Sequence, residues 1–150
     1  MKLAEALLIR ADHKKKLASL RERIAKNARV QEGEEPQEKV SALIQESFAV
    51  IQEQQAIVQK IDRANMHAKL PDGRLLADAL AERETLMQQH SLLVSAISAT
   101  QKDGDRYSPR EIKWVVQIDV PALQKQGDDL SVKVRVLNAR IQETNWLTEL

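Results

Sequence analysis

Apolar residues recur along this chain at steps of three and four, the spacing that lines one face of an α-helix. In the opening segment Leu3, Leu7, Leu17, Leu20 and Ile24 form one such stripe, and Arg10 and His13 fill its gap. Val40, Ile44, Ser47, Ile51, Gln54, Val58, Ile61 and Asn65 follow alternating steps, a heptad seam of the coiled-coil kind with polar members. The stretch "LAERETLMQQHSLLV", residues 80–94, carries a third stripe of Leu80, Leu86 with Met87, and Leu93 with Val94. Arg83 and His90 fall on that stripe, seven residues apart, where a packed helix would prefer leucine. Leu123, Gly127, Leu130, Val134, Leu137 and Ile141 make the fourth. The pattern predicts helices over about 3–30, 36–65, 76–99 and 120–144.

Glycine and proline sit between these stripes. Gly33 and Pro36, Pro71 and Gly73, and Gly104 and Pro109 mark three breaks, and Pro121 falls in a first helical turn, where proline is tolerated. Gly127 alone lies inside a helical pattern, a place that would admit a close helix contact. Helices of this size are about 36 to 45 Å long. Amphipathic helices gain most of their stability by burying their stripes against one another. The connections make antiparallel neighbours the simplest arrangement. The expectation is a mainly α chain, one domain over residues 1–150. It would be an antiparallel four-helix bundle of long helices with a short extended segment near 112–118. Two long hairpins that close their core only in an oligomer are the alternative.

The extended segment is the one stretch that resists a helix. In "EIKWVVQIDV", residues 111–120, Ile112, Trp114, Val116 and Ile118 alternate with Lys113, Val115 and Gln117, which reads as a strand. "SPRE", residues 108–111, reads instead as a capping box that opens a short helix. "HAKL", residues 67–70, could also be extended, and in a simple bundle the two segments would each need another subunit's edge to form a sheet.

Composition narrows the classes. Charged residues make up 30% and aromatics 3%, so small aliphatics carry the core and helix is favoured over sheet. Cysteine is absent, which excludes disulfides, thiolate metal sites and cysteine nucleophiles. No apolar run is long enough for a membrane span or a secretory signal, so a cytoplasmic location is expected. A net charge of +1 offers no overall field for nucleic acid.

Charge is nevertheless uneven. Lys2, Arg10, Lys14, Lys15, Lys16, Arg21, Arg23, Lys26 and Arg29 crowd the first helix. Glu32, Glu34, Glu35, Glu38, Glu46 and Glu53 crowd the next stretch. An antiparallel hairpin would set the basic end of the first helix beside the acidic start of the second. An RNA-gripping hairpin using the face from Lys14 to Arg29 is the sharper alternative, but stacking aromatics are missing from it and nucleic acid is not the expected partner.

The polar residues on apolar faces are Arg10, His13, Ser47, Gln54, Asn65, Arg83 and His90, with Asn145 as a further candidate. Such groups must find partners, because an unmet buried polar group costs about 1 to 3 kcal/mol. Asp78, Glu82, Glu84, Asp12, Asp128 and Asp129 are the candidate partners. Fixing register and oligomer state is the common use of such residues. The one constellation that could hold a small molecule or a metal is Asp78, Glu82, Arg83 and His90, with Arg10 and Asn65 as further candidates. Metal spacing is poor. The residues three before His13, His67 and His90 are Arg10, Ala64 and Met87, none a carboxylate. Phosphate loops and nucleophile elbows are absent too. No cofactor, metal ligand or catalytic residue is nominated, and the balance leans away from an enzyme.

The strings "DGRLLADALAERE", "YSPREIKWVVQIDVPALQKQ" and "RIQETNWLTEL" resemble a family of small bacterial proteins labelled septicolysin-like, or left as a domain of unknown function. So does the opening "LAEALLIRADHKKKLASLRERIAKNARVQEGEEP". The resemblance implies a mainly helical fold and no established catalytic residue. The family's label implies a cytolysin, whereas these stripes have the width of a soluble core. The expectation that results is a helical-bundle protein without catalysis, a homo-oligomer that also contacts an unidentified protein partner.

Overall fold

The structure, a computed structural model, describes residues 1–101 and 113–150. Those residues form four helices: α1 over Leu3–Asn27, α2 over Val40–His67, α3 over Leu76–Ala99 and α4 over Val120–Leu147. The mainly α class and the four long helices expected from the spacing are the ones found, and no strand occurs among the described residues. Packing divides the chain into two compact units, Met1–Leu76 with Gln142–Leu150, and Ala77–Ile141.

The first unit is built on the antiparallel α1–α2 hairpin. Leu20, Leu43 and Val50 are buried together, with Leu17 and Ile24 packed against them. Charge sets the register as the sequence implies. Arg23 forks onto the Glu38 carboxylate, with Nε donating at 2.9 and 3.2 Å, and Lys16 meets Glu46 at 2.9 Å. His13 lies 3.7 Å from Glu53. α1 ends at Asn27 rather than near Val30, because the Asn27 side chain closes it. Its amide donates to the Arg23 carbonyl at 2.9 Å and its oxygen accepts the Glu38 N–H at 3.1 Å. The loop that follows includes Gly33 at φ +87°, and α2 starts at Val40 rather than at Pro36.

The hairpin corrects the α2 seam. The residues turned inward are Leu43, Val50, Ile57 and Ile61, which are buried, with Ser47 and Gln54 half-buried between them. Ile44 and Ile51, expected in that seam, stay exposed. The reason is that α2 carries two overlapping apolar stripes about one residue apart, and α1 covers only one.

The α2–α3 connection is a tight turn. Gly73 N–H donates to the Leu70 carbonyl at 2.9 Å, with Pro71 and Asp72 at its corners. Gly73 sits at φ +87°, where residues with a Cβ are strained. Asp72 accepts from the Arg74 N–H at 3.1 Å and from its Nε at 3.0 Å. Lys69 bridges to Leu75 across the turn. The "HAKL" segment thus pairs within its own chain and needs no other subunit's edge.

A second clamp joins the ends of this unit. Leu3 N–H donates to the Thr148 carbonyl at 2.9 Å, Leu150 N–H to the Met1 carbonyl at 3.0 Å, and Lys2 bridges to Glu149. Lys2 Nζ lies 2.6 Å from the Glu149 carboxylate and the Met1 amine 3.2 Å from it. α4 runs to Leu147, past the expected end at Thr144, and Asn145 is buried at 4% exposure.

The second unit is the α3–α4 hairpin. Asp119 caps α4 by accepting the Ala122 N–H at 3.1 Å, with Pro121 in the first turn. Gly127, Leu130, Leu137 and Ile141 are buried, as is Ala79, yet no residue of α3 from Leu80 to Ala99 is fully buried. The extended segment expected near 112–118 is described from Lys113, and residues 113–118 form neither strand nor helix, with Trp114 87% exposed. Ile112 and the "SPRE" box lie outside the described residues.

Candidate functional site

The seven polar residues on apolar faces are all half-buried: Arg10, His13, Ser47, Gln54 and Asn65 in the first unit, Arg83 and His90 in the second. One of them, Ser47, is satisfied within its own helix. Its Oγ donates to the Leu43 carbonyl at 2.8 Å. Others keep an unmet atom: His13 Nδ1, Gln54 Oε1 and Arg83 Nε are buried without a partner.

Arg83 and His90 both face α4. Arg83 Nη1 donates to Asn138 Oδ1 at 3.2 Å. His90 lies over Gly127, whose α-carbon environment would place an added Cβ 3.9 Å from Cδ2 and 4.0 Å from Nε2 of the ring. These are ordinary contacts, so Gly127 is not needed for a close helix approach. Asp78 and Glu82 are exposed, and the observed partner of Arg83 is an amide rather than any of the acids proposed for it. Arg10 and Asn65 belong to the other compact unit.

A groove of about 390 Å³ opens beside Arg83 and His90, lined by Met87, His90, Ser131, Val134, Arg135 and Asn138. That is the small end of the range of ligand sites, about 300 to 1,000 Å³. No acid lines it. Arginine has donors and no acceptor, so the Asn138 atom that meets Arg83 has to be its carbonyl oxygen. The Asn138 NH₂ is then left with its donors. Arg135 also only donates and has no ion-pair partner among the described residues. Ser131 adds a hydroxyl, and Met87 and Val134 form apolar walls. Asn138 and Arg135 were not singled out from the sequence, because the α4 stripe of Leu130, Val134, Leu137 and Ile141 is complete without them. The usable signal was the antiparallel register: opposing His90 and Gly127 brings Arg83 level with Val134 to Asn138.

Other hollows are less selective. One of about 860 Å³ under the α1–α2 loop is lined by Lys26, Arg29, Glu34 and Glu35 among others, so both signs of charge meet there. Among the described residues no group of three His, Asp or Glu side chains converges as a metal site would need, and no helix is long and apolar enough to cross a membrane. On α1, Lys16 of the basic stretch is engaged with Glu46 of α2, and Arg23 with Glu38 in the loop before it.

A family model described as "Family of unknown function (DUF6847)" matches residues 10–150. Among solved structures, the chain is similar to a functionally unknown conserved protein from Corynebacterium diphtheriae. Identity is 33%, the TM-score 0.86, and the match covers 100% of this chain and 98% of that one. No curated protein matches. These findings overturn the resemblance to septicolysin-like proteins: neither the family nor the structural neighbour carries that label, and with it goes the implied cytolysin. The short strings that carried the resemblance lie mostly on amphipathic helices, and their Leu, Ala, Glu and Arg spacing is common to many helical chains.

Proposed function

The chain belongs to DUF6847, a family of unknown function, so its role has to be read from its own surface, and we propose that it is a non-catalytic helical protein that assembles with a second copy of itself through the outer stripe of α2. One observation carries this reading. Ile44, Phe48 and Ile51 are 38%, 62% and 48% exposed, at steps of four and three on α2. The stripe continues through Gln55 to the half-buried Val58, a run of about 21 Å at 1.5 Å per residue.

Charge singles out a second copy as the occupant. The two acids of α2 between Val40 and Gln59 are Glu46 and Glu53, and both are drawn toward α1 by Lys16 and His13. Apart from Glu53, which is exposed beside His13, the exposed residues of this span are Ser41, Ala42, Ile44, Gln45, Phe48, Ala49, Ile51, Gln52, Gln55, Ala56 and Gln59, all uncharged. A two-fold interface sets a patch against its own copy, which repels itself if charged and does not if neutral. Interface cores are likewise depleted of charge and enriched in aromatics and apolar residues. A cytoplasmic location fits a chain without cysteine.

Light scattering tests it. The wild-type chain is expected to be a dimer at micromolar concentration, and Phe48→Glu with Ile51→Glu to be a monomer of unchanged helical circular dichroism. Phe48 and Ile51 face away from the hairpin core, so the double variant keeps its fold. A wild-type monomer at 100-fold higher concentration removes the proposal.

A further inference from the structure

We propose that the groove between α3 and α4 binds a small organic carboxylate with a short aliphatic body, held by Arg135 and the Asn138 amide. This stands apart from self-assembly, which uses α2. It rests on the donor set of the groove. Arg135 presents a planar fork that matches a carboxylate's two oxygens. The Asn138 oxygen is taken by Arg83 Nη1 at 3.2 Å, so the amide meets a ligand through its NH₂. Ser131 can donate from one turn away on α4. An acceptor-only ligand satisfies all three.

Arg83 supplies the second line of argument. Its guanidinium is half-buried, its Nε is buried without a partner, and it has no ion pair among the described residues. A half-buried positive charge whose hydrogen bond goes to a neutral amide and that has no ion pair among the described residues is incompletely compensated. An anion seated beside Asn138 would lie within the reach of that charge and offset it. Arg83 is thus a positioning residue: it fixes which end of the Asn138 amide faces the groove and adds field to it. The size and walls select the ligand further. About 390 Å³ admits a small molecule, and Met87 and Val134 offer an aliphatic chain two apolar surfaces, which inorganic phosphate cannot use.

The test is an amide chemical-shift titration of the full chain with sodium butyrate, with butyramide and inorganic phosphate as comparison probes. Butyrate is expected to give saturable shifts centred on Met87, His90, Ser131, Val134, Arg135 and Asn138, in the millimolar range. Butyramide, its uncharged analogue, should give none of comparable size. Arg135→Gln, at an exposed position, should weaken butyrate on the order of tenfold, the loss of one charge-assisted contact. Asn138→Asp is the sharper variant. Its carboxylate keeps the contact with Arg83, so thermal stability is retained or raised, yet the groove gains a negative acceptor and butyrate binding should vanish. No saturable shift with butyrate, equal binding of butyramide, tighter binding of phosphate than of butyrate, or wild-type affinity in Asn138→Asp would each overturn the assignment.

Discussion

Gly73 and Gly127 answer the same substitution in opposite ways. Gly73 holds φ at +87°, so Gly73→Ala strains the turn that links α2 to α3 and should lower stability by about 1 kcal/mol or more. Gly127 has helical backbone and room for a methyl group against His90, so Gly127→Ala should raise stability by about 0.5 to 1 kcal/mol. Denaturant unfolding of the two variants reads both signs. Two carboxylates predict a pH dependence. Hydrogen bonds from Arg23, and then its charge, hold Glu38 below its ordinary 4.5, and Lys2 with the N-terminal amine does the same for Glu149. Each lowered group binds its proton later in the folded chain than in the unfolded one. Their contribution is therefore complete above pH 4.5 and is lost as pH falls through the lowered folded values. The difference in Tm between wild type and Glu38→Gln should be present at pH 7, small because the pair is on the surface, and should close as pH drops below that range. A difference that grew on acidification would contradict the assignment of Arg23 as the cause.

At the scale of elements, α2 shows what the sequence could and could not disclose. The helices themselves were legible, because spacing, glycine and proline place their ends to within a few residues. The side chains that override those ends were not. Asn27 closes α1 early by bonding at once to Arg23 and to Glu38, a contact between residues eleven apart that no local pattern announces. The α2 seam expected from the sequence differs from the observed one by one residue because Leu43, Val50 and Ile57 and the neighbouring Ile44, Ile51 and Val58 repeat equally well every seven. Only the position of α1 chooses between them. The candidate site was half legible. Arg83 and His90 announced themselves by standing on an apolar stripe, while Asn138 and Arg135 lie beside a stripe already complete. The core makes its own prediction here. Leu20→Ala, at a buried site between Leu43 and Val50, should cost about 2 to 5 kcal/mol, whereas Phe48→Ala should change monomer stability by less than about 1 kcal/mol. Thermal unfolding at low protein concentration separates the two.

For the whole molecule, the unused stripe of α2 is the feature that asks for a partner. A neutral, partly apolar face survives self-apposition, and burial of Phe48 with its neighbours would supply the kind of aromatic anchor that dominates interfaces. The absence of native cysteine makes the claim directly measurable. A spin label on Gln52→Cys, beside the stripe, reports the separation of two copies without competing thiols. Packed helices lie about 10 Å apart, so a two-fold pairing centred on Phe48 and Ile51 puts the labels within about 20 Å. A dipolar distance in that range is expected, abolished by Phe48→Glu in the same labelled chain. A labelled wild-type chain with no intermolecular coupling, or one whose coupling persists unchanged with Phe48→Glu, would contradict it.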